Sequence, residues 1–566
     1  MKHSLKYLLL RFFGSPLTLL IWTLVALIVP NVVLDITEST SWLWKVANII
    51  APAGFYLCVL SWTRKTGVAV LCALPWMIFA AFQLVLSYLF GEAIIAVDMF
   101  LNVVTTNVEE VNELLGNLFY AILTVVLLYL PPLIWAIVLT CKKKKLSGTQ
   151  RKKTLKYGVW MILIGIIATV AAEISRTGDR FYRELFPLNV VCNLGEAINR
   201  TNQTRHYPET SKDFTYKAVS ERPDSLPEIY VMVIGETARA INWQLAGYER
   251  PTNPRLSRRS GLTFFPKAIS QSNTTHKSVP MMMSCASAET FDSIQYYKSI
   301  LTAMKEAGFY TRFFSNQAPN HSYTEFFGNE ADDIRYADFS RKPHPFDHEM
   351  VDWLRQAVAD TIHRKQFIVM HTYGSHFLYR DRYPQSESYF SPDNMVDANS
   401  GNRPCLINGY DNTIRYTDHV LDGIIGVLDG ADVAAGLVYS SDHGEDIFDD
   451  RRNRFLHASP NPTYYQLHVA SLAWMSDELQ SLHPEFVTAV KTNRTKPMAP
   501  QTALFHTALQ MAGVKSPLFR PESSLVDESY NYGKPLYVTD LNQGVPLEKS
   551  GLKDLDFEKL STLLSK

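Results

Sequence analysis

The chain changes character at about the end of its first third. Up to residue 175 apolar positions run nearly unbroken, in blocks at Pro16–Leu34, Val46–Trp62, Val68–Phe90, Leu118–Thr140 and Leu155–Ala172. Each block approaches the ~20 residues a helix needs to cross a bilayer. Pro52 and Gly54 interrupt the second, which membrane helices tolerate. Beyond residue 175 apolar runs are short and alternate with amphipathic ones. Glu228–Gly235, Phe309–Phe314, Gln366–His371 and Gly436–Ser440 read as buried strands. Ser299–Ala307, Met350–Ile362, Thr413–Leu428 and Gln501–Ala512 read as helices, as does a short turn from Arg239 to Ala246 ended by Gly247. Repeated strand–helix units predict an α/β domain with a largely parallel central sheet. Pro517, Pro521 and Pro535 mark the last stretch as surface loops and tail.

Charge orients the apolar half. Lys2, Lys6 and Arg11 precede the first block, Arg64 and Lys65 follow the second, and Lys142–Lys145 with Arg151–Lys153 follow the fourth, whereas the alternate loops hold only Lys45. Positive residues stay in the cytoplasm, so the N-terminus is inside and the chain after the fifth span is outside. The first block lacks a clear cleavage site and belongs to a multi-span pattern, unlike a removed signal peptide. Three regions are expected: a five-helix transmembrane domain at 1–175, a bridging helix and linker at 176–227, and an exported domain at 228–566. The net charge of +0 gives no nucleic-acid signature. Cys192, Cys285 and Cys405 on the exported side allow at most one disulfide, so no disulfide framework is expected. Between the third and fourth spans, residues 98–115 carry helical apolar spacing with an acidic face. That stretch is either a solvated connector or a wall of a headgroup site.

Candidate chemistry gathers where strands end. Val438–Ser441 breaks off into Asp442-His443-Gly444, and Glu228–Gly235 delivers Glu236. Asn316 and His371 follow strands in the same way, and in parallel α/β folds ligands bind at such ends. Ser270–Pro280 is a polar run opening a helix, which sets hydroxyls of Thr274 or Thr275 near free backbone amides. His376 and His457 lie in loops that could reach the same rim. Glu236, one of the two threonines, Asp442 and His443 would make an oxygen/nitrogen shell for zinc, which lowers the pKa of a bound hydroxyl. His376 and His457 would hold a second zinc or protonate a leaving oxygen.

These motifs, in this order, resemble the membrane phosphoethanolamine transferases, which include the lipid A enzymes and the mobile colistin-resistance proteins. The matching segments are Ile234–Arg239, Thr275 before Ser278-Val279-Pro280, Gly374-Ser375-His376, Tyr410–Ile414 with Tyr416-Thr417-Asp418, Ser441–Glu445 and Leu456-His457. The resemblance implies five spans, an alkaline-phosphatase-like periplasmic domain and a bacterial inner-membrane location. It implies zinc held by Glu236, Thr275, Asp442 and His443, one ion with a second left open. It implies Thr275 as the residue that takes the phosphoethanolamine. His376 and His457 match a second-metal or leaving-group site, and with Asn316 and His371 they match substrate-pocket positions. Thr106-Asn107 and Glu110 match an element near the substrate entrance. The implied donor is phosphatidylethanolamine and the implied acceptor lipid A or another envelope glycan, in a monomer working among membrane lipids, with polymyxin resistance as the phenotype. Alternatives are a glycerol-phosphate transferase or phosphodiesterase of the same superfamily, or an inactive membrane sensor. Familiar relatives carry cysteines where Gln271 and Met281 stand, so a disulfide bracing the threonine loop is not expected.

Overall fold

The computed structural model describes residues 14–37, 41–90, 95–105, 118–174, 185–223, 226–341, 344–394 and 398–565. The chain divides into two compact units, one of Met1–Phe100, Leu114–Ile198 and Arg452–Arg454, the other of Leu101–Glu113, Asn199–Arg451 and Phe455–Lys566.

The first unit is helical: α1 Pro16–Thr37, α2 Trp42–Leu60, α3 Thr66–Cys72, α4 Leu74–Phe90, α5 Val97–Thr105, α6 Phe119–Cys141 and α7 Gly148–Ile174. Four of these are long and apolar enough to cross a membrane, and the pair α3 and α4, bent by 53°, makes a fifth if taken as one span. Pro75, at the second position of α4, has no N–H to continue the α3 ladder, which fits the break. α2 and α7 pack backbone to backbone: a Cβ on Gly54 would meet Gly158 O at 2.7 Å. Small residues at such crossings let helices approach where lipid offers no hydrophobic drive. α5 covers the start of the acidic stretch; Thr106, Asn107 and Glu110 lie outside the described residues.

The second unit is built on a seven-stranded sheet: β1 Glu228–Gly235, β2 Leu262–Phe264, β3 Tyr310–Ser315, β4 Asp333–Tyr336, β5 Lys365–His371, β6 Ala434–Ser441 and β7 Ser471–Met475. The order is β2-β7-β6-β1-β5-β3-β4. From β6 to β4 neighbours are parallel, and β7 runs antiparallel to both β6 and β2. Every residue of β1 and β5 is buried, as strands covered on both faces require. Helices of this unit include α8 Thr275–Met282, α9 Tyr323–Gly328, α10 Arg403–Asp429, α11 Pro500–Met511 and α12 Asp554–Ser565.

Three local expectations change. α10 begins at Arg403 rather than Thr413, because its first turns bury polar side chains among the apolar ones: Asp411 accepts from Asn242 and Tyr248, and Asn412 donates to Phe390 O. Arg239–Ala246 forms two short 3-10 turns, Ala240–Asn242 and Gln244–Ala246. The last stretch is not merely loop: it holds a hairpin, Leu536–Val538 with Gly544–Pro546, and α12, whose Leu560 packs with Tyr464, Tyr465 and Leu467.

Candidate functional site

Register places the first two ligand candidates side by side. Gly235 of β1 pairs with Ser441 of β6, so the next residues, Glu236 and Asp442, leave the sheet together. Asp442 N–H donates to Gly235 O at 3.1 Å. Thr275 is the first residue of α8, after Thr274, whose extended backbone makes it the N-cap. From there Thr275 Oγ1 reaches His443 Nε2 at 3.1 Å and the Glu236 carboxylate oxygens at 3.3 and 3.4 Å. His443 Nε2 is 3.2 Å from Asp442 Oδ2 and 3.4 Å from Glu236 Oε1. Thr274 points elsewhere, its Oγ1 3.1 Å from Ser272 Oγ. Of the two hydroxyls the sequence offers, Thr275 faces the cluster.

The histidines share one tautomeric logic. His443 Nδ1 lies 3.0 Å from Gly444 O, and His376 Nδ1 2.7 Å from Phe377 O. A carbonyl can only accept, so each Nδ1 carries a hydrogen, and in a neutral ring Nε2 then presents a lone pair. His457 Nδ1 faces Glu445 Oε2 at 3.2 Å, and its ring centroid is 4.2 Å from that of His443. Burial holds His443 well below the usual imidazole range, so it is neutral. Burial, then the charge of Glu236, pushes Asp442 well above the usual carboxyl range. Burial likewise pushes Glu445 up to about 8, and Tyr379 donates to it.

This donor set fits a zinc ion. Glu236, His443 and His457 offer ligand atoms within 4.8 Å of one another. Asp442 Oδ2 is buried beside them, 3.2 Å from His443 Nε2. Two carboxylates buried side by side repel, and a divalent cation between them removes that cost.

His371, His376 and His457 line one cleft with Thr275 and Glu236. Asn316 lies beneath it instead. Its Nδ2 donates to Pro345 O and Asp347 Oδ1, and Asp347 in turn accepts from the Tyr373 and Gly374 amides. Gly374, at φ 55°, passes so close that a Cβ would meet Glu236 O at 2.7 Å. Asn316 therefore braces the turn that packs on Glu236 rather than lining the cleft. Sequence reading missed Gln317, whose Nε2 donates to Glu236 Oε2 at 3.2 Å and Thr372 O at 2.9 Å. It also missed Gln501 of α11. Gln501 Oε1 accepts from Gln271 N–H (2.9 Å), while its Nε2 reaches Ser270 Oγ (2.7 Å) and Asp442 O (2.9 Å). All six cysteines are free, so hydrogen bonds of this kind anchor the threonine loop.

The sequence signature of the family described as Sulfatase matches residues 228–514, from the start of β1 to just past α11. The chain belongs to the sulfatase family. Similar proteins include YhbX of Escherichia coli, 30% identical over 253 residues, which are 44% of each chain. The Kdo(2)-lipid A phosphoethanolamine 7''-transferase of Escherichia coli is 28% identical over 305 residues, 52% of each chain. The chain thus spans about half the length of the curated relatives it matches. Among solved structures, phosphoethanolamine transferase EptA from Neisseria meningitidis superposes with a TM-score of 0.68 at 21% identity, covering 91% of this chain and 98% of that one. The C-terminal periplasmic domain of Escherichia coli EptC, in complex with zinc, gives a TM-score of 0.53 at 24% identity, covering 59% of this chain and 95% of that one. Both likenesses concern the fold: with EptA, apolar N-terminal helices followed by a sulfatase-like α/β domain with a mostly parallel sheet; with the EptC domain, the α/β part alone.

Proposed function

We propose that this sulfatase-family protein transfers phosphoethanolamine from phosphatidylethanolamine to lipid A or another envelope glycan. The group passes through a covalent phosphoethanolamine–Thr275 intermediate. The observation that carries the reading is Thr275 Oγ1 lying within 3.1–3.4 Å of both His443 and Glu236. An ordinary helix-capping hydroxyl has no use for a buried carboxylate and a neutral imidazole at that distance. Relatives named phosphoethanolamine transferases, one of them described as acting on Kdo(2)-lipid A, support the reaction class. The apolar helices and the positive-inside bias support an inner-membrane protein with its α/β domain in the periplasm.

Glu236, Asp442, His443 and Thr275 would hold one zinc, with His457 near enough to contribute to a second. A bound zinc supplies positive charge that favours an ionised hydroxyl and neutralises the transferring phosphoryl oxygens. The protein's own groups do the rest. The Thr275 hydroxyl donates towards Glu236, so its proton has an acceptor when Oγ1 attacks phosphorus. The new bond is Thr275 Oγ1–P; the bond that breaks joins phosphorus to the diacylglycerol oxygen. His376 and His457 line the cleft, where either imidazole, when protonated, would deliver a proton to that leaving oxygen. In the second half-reaction an acceptor oxygen replaces Thr275 by the reverse of the same steps. A second cavity, about 440 Å³, shares His276, Asn320 and Ser322 with the cleft and leaves room for a bulkier acceptor beside the nucleophile.

Mass spectrometry of the full-length protein incubated with phosphatidylethanolamine tests the first half. A phosphoethanolamine adduct on Thr275 is expected; a glycerol-phosphate adduct, or none, would refute it. Envelope lipids from strains with and without the gene test the second half. Unchanged lipid A mass together with unchanged polymyxin sensitivity would exclude lipid A as acceptor.

A further inference from the structure

The cleft does not end at the metal ligands. Its cavity of about 150 Å³ runs from Thr275 and Glu236 across the ends of β5 and β3 to Tyr336 on β4. That is small beside the about 300–1,000 Å³ of pockets for drug-sized ligands, so the inner end suits a small group. Phe313, Ser315, Tyr336, His371 and Glu325 of α9 line it.

Two of these have unused acceptor capacity. Glu325 is only 14% exposed; its Oε2 accepts from His321 N–H at 2.6 Å, and among the described residues its Oε1 accepts nothing. His321 Nδ1, 3.6 Å from Oε2, is 88% exposed and outside the cavity lining. His371 is buried, burial holds its pKa down to about 4, and its Nε2 has no hydrogen-bond partner. A half-buried carboxylate and a neutral imidazole therefore face a space to which, among the described residues, the chain brings no lysine or arginine. Tyr336 closes it: burial and the nearby charge of Glu325 both push its phenol up.

We propose that Glu325 and His371 form an ammonium subsite that binds the primary amine of the transferred group. The proposal rests on the transferase reading and specifies how the donor is chosen. An –NH3⁺ group has three hydrogens to give; among the described residues Glu325 Oε1 accepts from none and His371 Nε2 has no partner, and Nε2 accepts when the ring hydrogen sits on Nδ1. Tyr336 and Phe313 line the same space, and aromatic rings attract a cation placed over their faces. An anion would meet the Glu325 charge. A quaternary ammonium has no N–H for either acceptor, so the subsite discriminates against choline as well as against uncharged headgroups.

The test uses the purified full chain, loaded with zinc in detergent, and three p-nitrophenyl phosphodiesters carrying ethanolamine, choline or plain ethyl. The wild-type kcat/KM should favour the ethanolamine ester over both others. Glu325→Gln should cut that preference about 10- to 100-fold, the usual worth of a hydrogen bond to a charged group. Glu325→Asp should restore part of it. A wild type that treats ethanolamine and ethyl esters alike would overturn the proposal without any variant. So would equal losses on all three esters in Glu325→Gln, the outcome of a merely structural role. Adduct formation on Thr275 without headgroup preference would remove the subsite and leave the transferase reading standing. No adduct from any ester would remove both.

Discussion

Thr275 Oγ1 lies 3.1 Å from His443 Nε2, although 168 positions separate the two residues along the chain. The first turn of α8 supplies one and the exit of β6 the other. If this contact marks the nucleophile, Thr275→Ala should lower turnover at least about 10³-fold, as removing a nucleophile does elsewhere. Thr275→Ser, which keeps the oxygen, should retain measurable adduct by mass spectrometry.

The repulsion between Glu236 and Asp442 gives a second expectation. A chelator should lower the thermal midpoint of the wild-type protein, since a ligand in thousandfold excess over its dissociation constant stabilises by about 4 kcal/mol. Asp442→Asn should lose metal and activity. In chelated protein, however, it should melt no lower than wild type, because an amide beside Glu236 relieves the charge pair. Calorimetry with and without chelator measures both.

Gln501 is placed to hold the threonine loop against the end of β6, since one amide touches Gln271, Ser270 and the Asp442 carbonyl. Gln501→Leu keeps the bulk and removes the bonds. It should cost about 1–3 kcal/mol from buried groups left unpaired. It should also lower kcat with little change in KM, because it disturbs the nucleophile and not the cleft. A fall in stability alone, with kcat intact, would make Gln501 purely structural.

Acid should unfold the α/β domain partly through His468. Its Nδ1 faces the Tyr464 hydroxyl at 2.8 Å, its Nε2 faces Pro266 O at 2.8 Å, and burial holds its pKa down to about 4. In the unfolded chain the imidazole titrates near 6.5, so between those values only the unfolded state binds the proton. Stability is therefore full above about pH 7 and falls as pH drops, by about 2 kcal/mol at pH 5 from this residue. Urea midpoints of wild type and His468→Gln should converge as pH is lowered from 7 to 5.

Much of this was readable before any coordinates. β1 and β6 announced themselves because unbroken apolar runs ended in Glu236 and in Asp442-His443, and a buried strand has no other use for such residues. The start of α10 was hidden because Asn408, Asp411 and Asn412 are buried through hydrogen bonds, which break apolar periodicity. β7 escaped because a short reversed strand carries no crossover helix to flag it. Gln317, Gln501 and Glu325 could not be found from sequence: an amide or carboxylate looks alike on a surface and in a cleft until its neighbours are known. Asn316, at a strand end, looked like a pocket residue and proved to be a brace for the turn beside Glu236.

The strand order separates two jobs. On the proposed reaction the central pair β1 and β6, with the start of α8, would carry the groups that break and make the phosphorus bond, whereas β3, β4 and α9 at the margin would meet the part of the substrate that does not react. Substitutions at that margin can therefore retune headgroup choice without dismantling the reaction centre. A lineage built on this scaffold is free to exchange one phospholipid donor for another by redecorating a single border of the sheet.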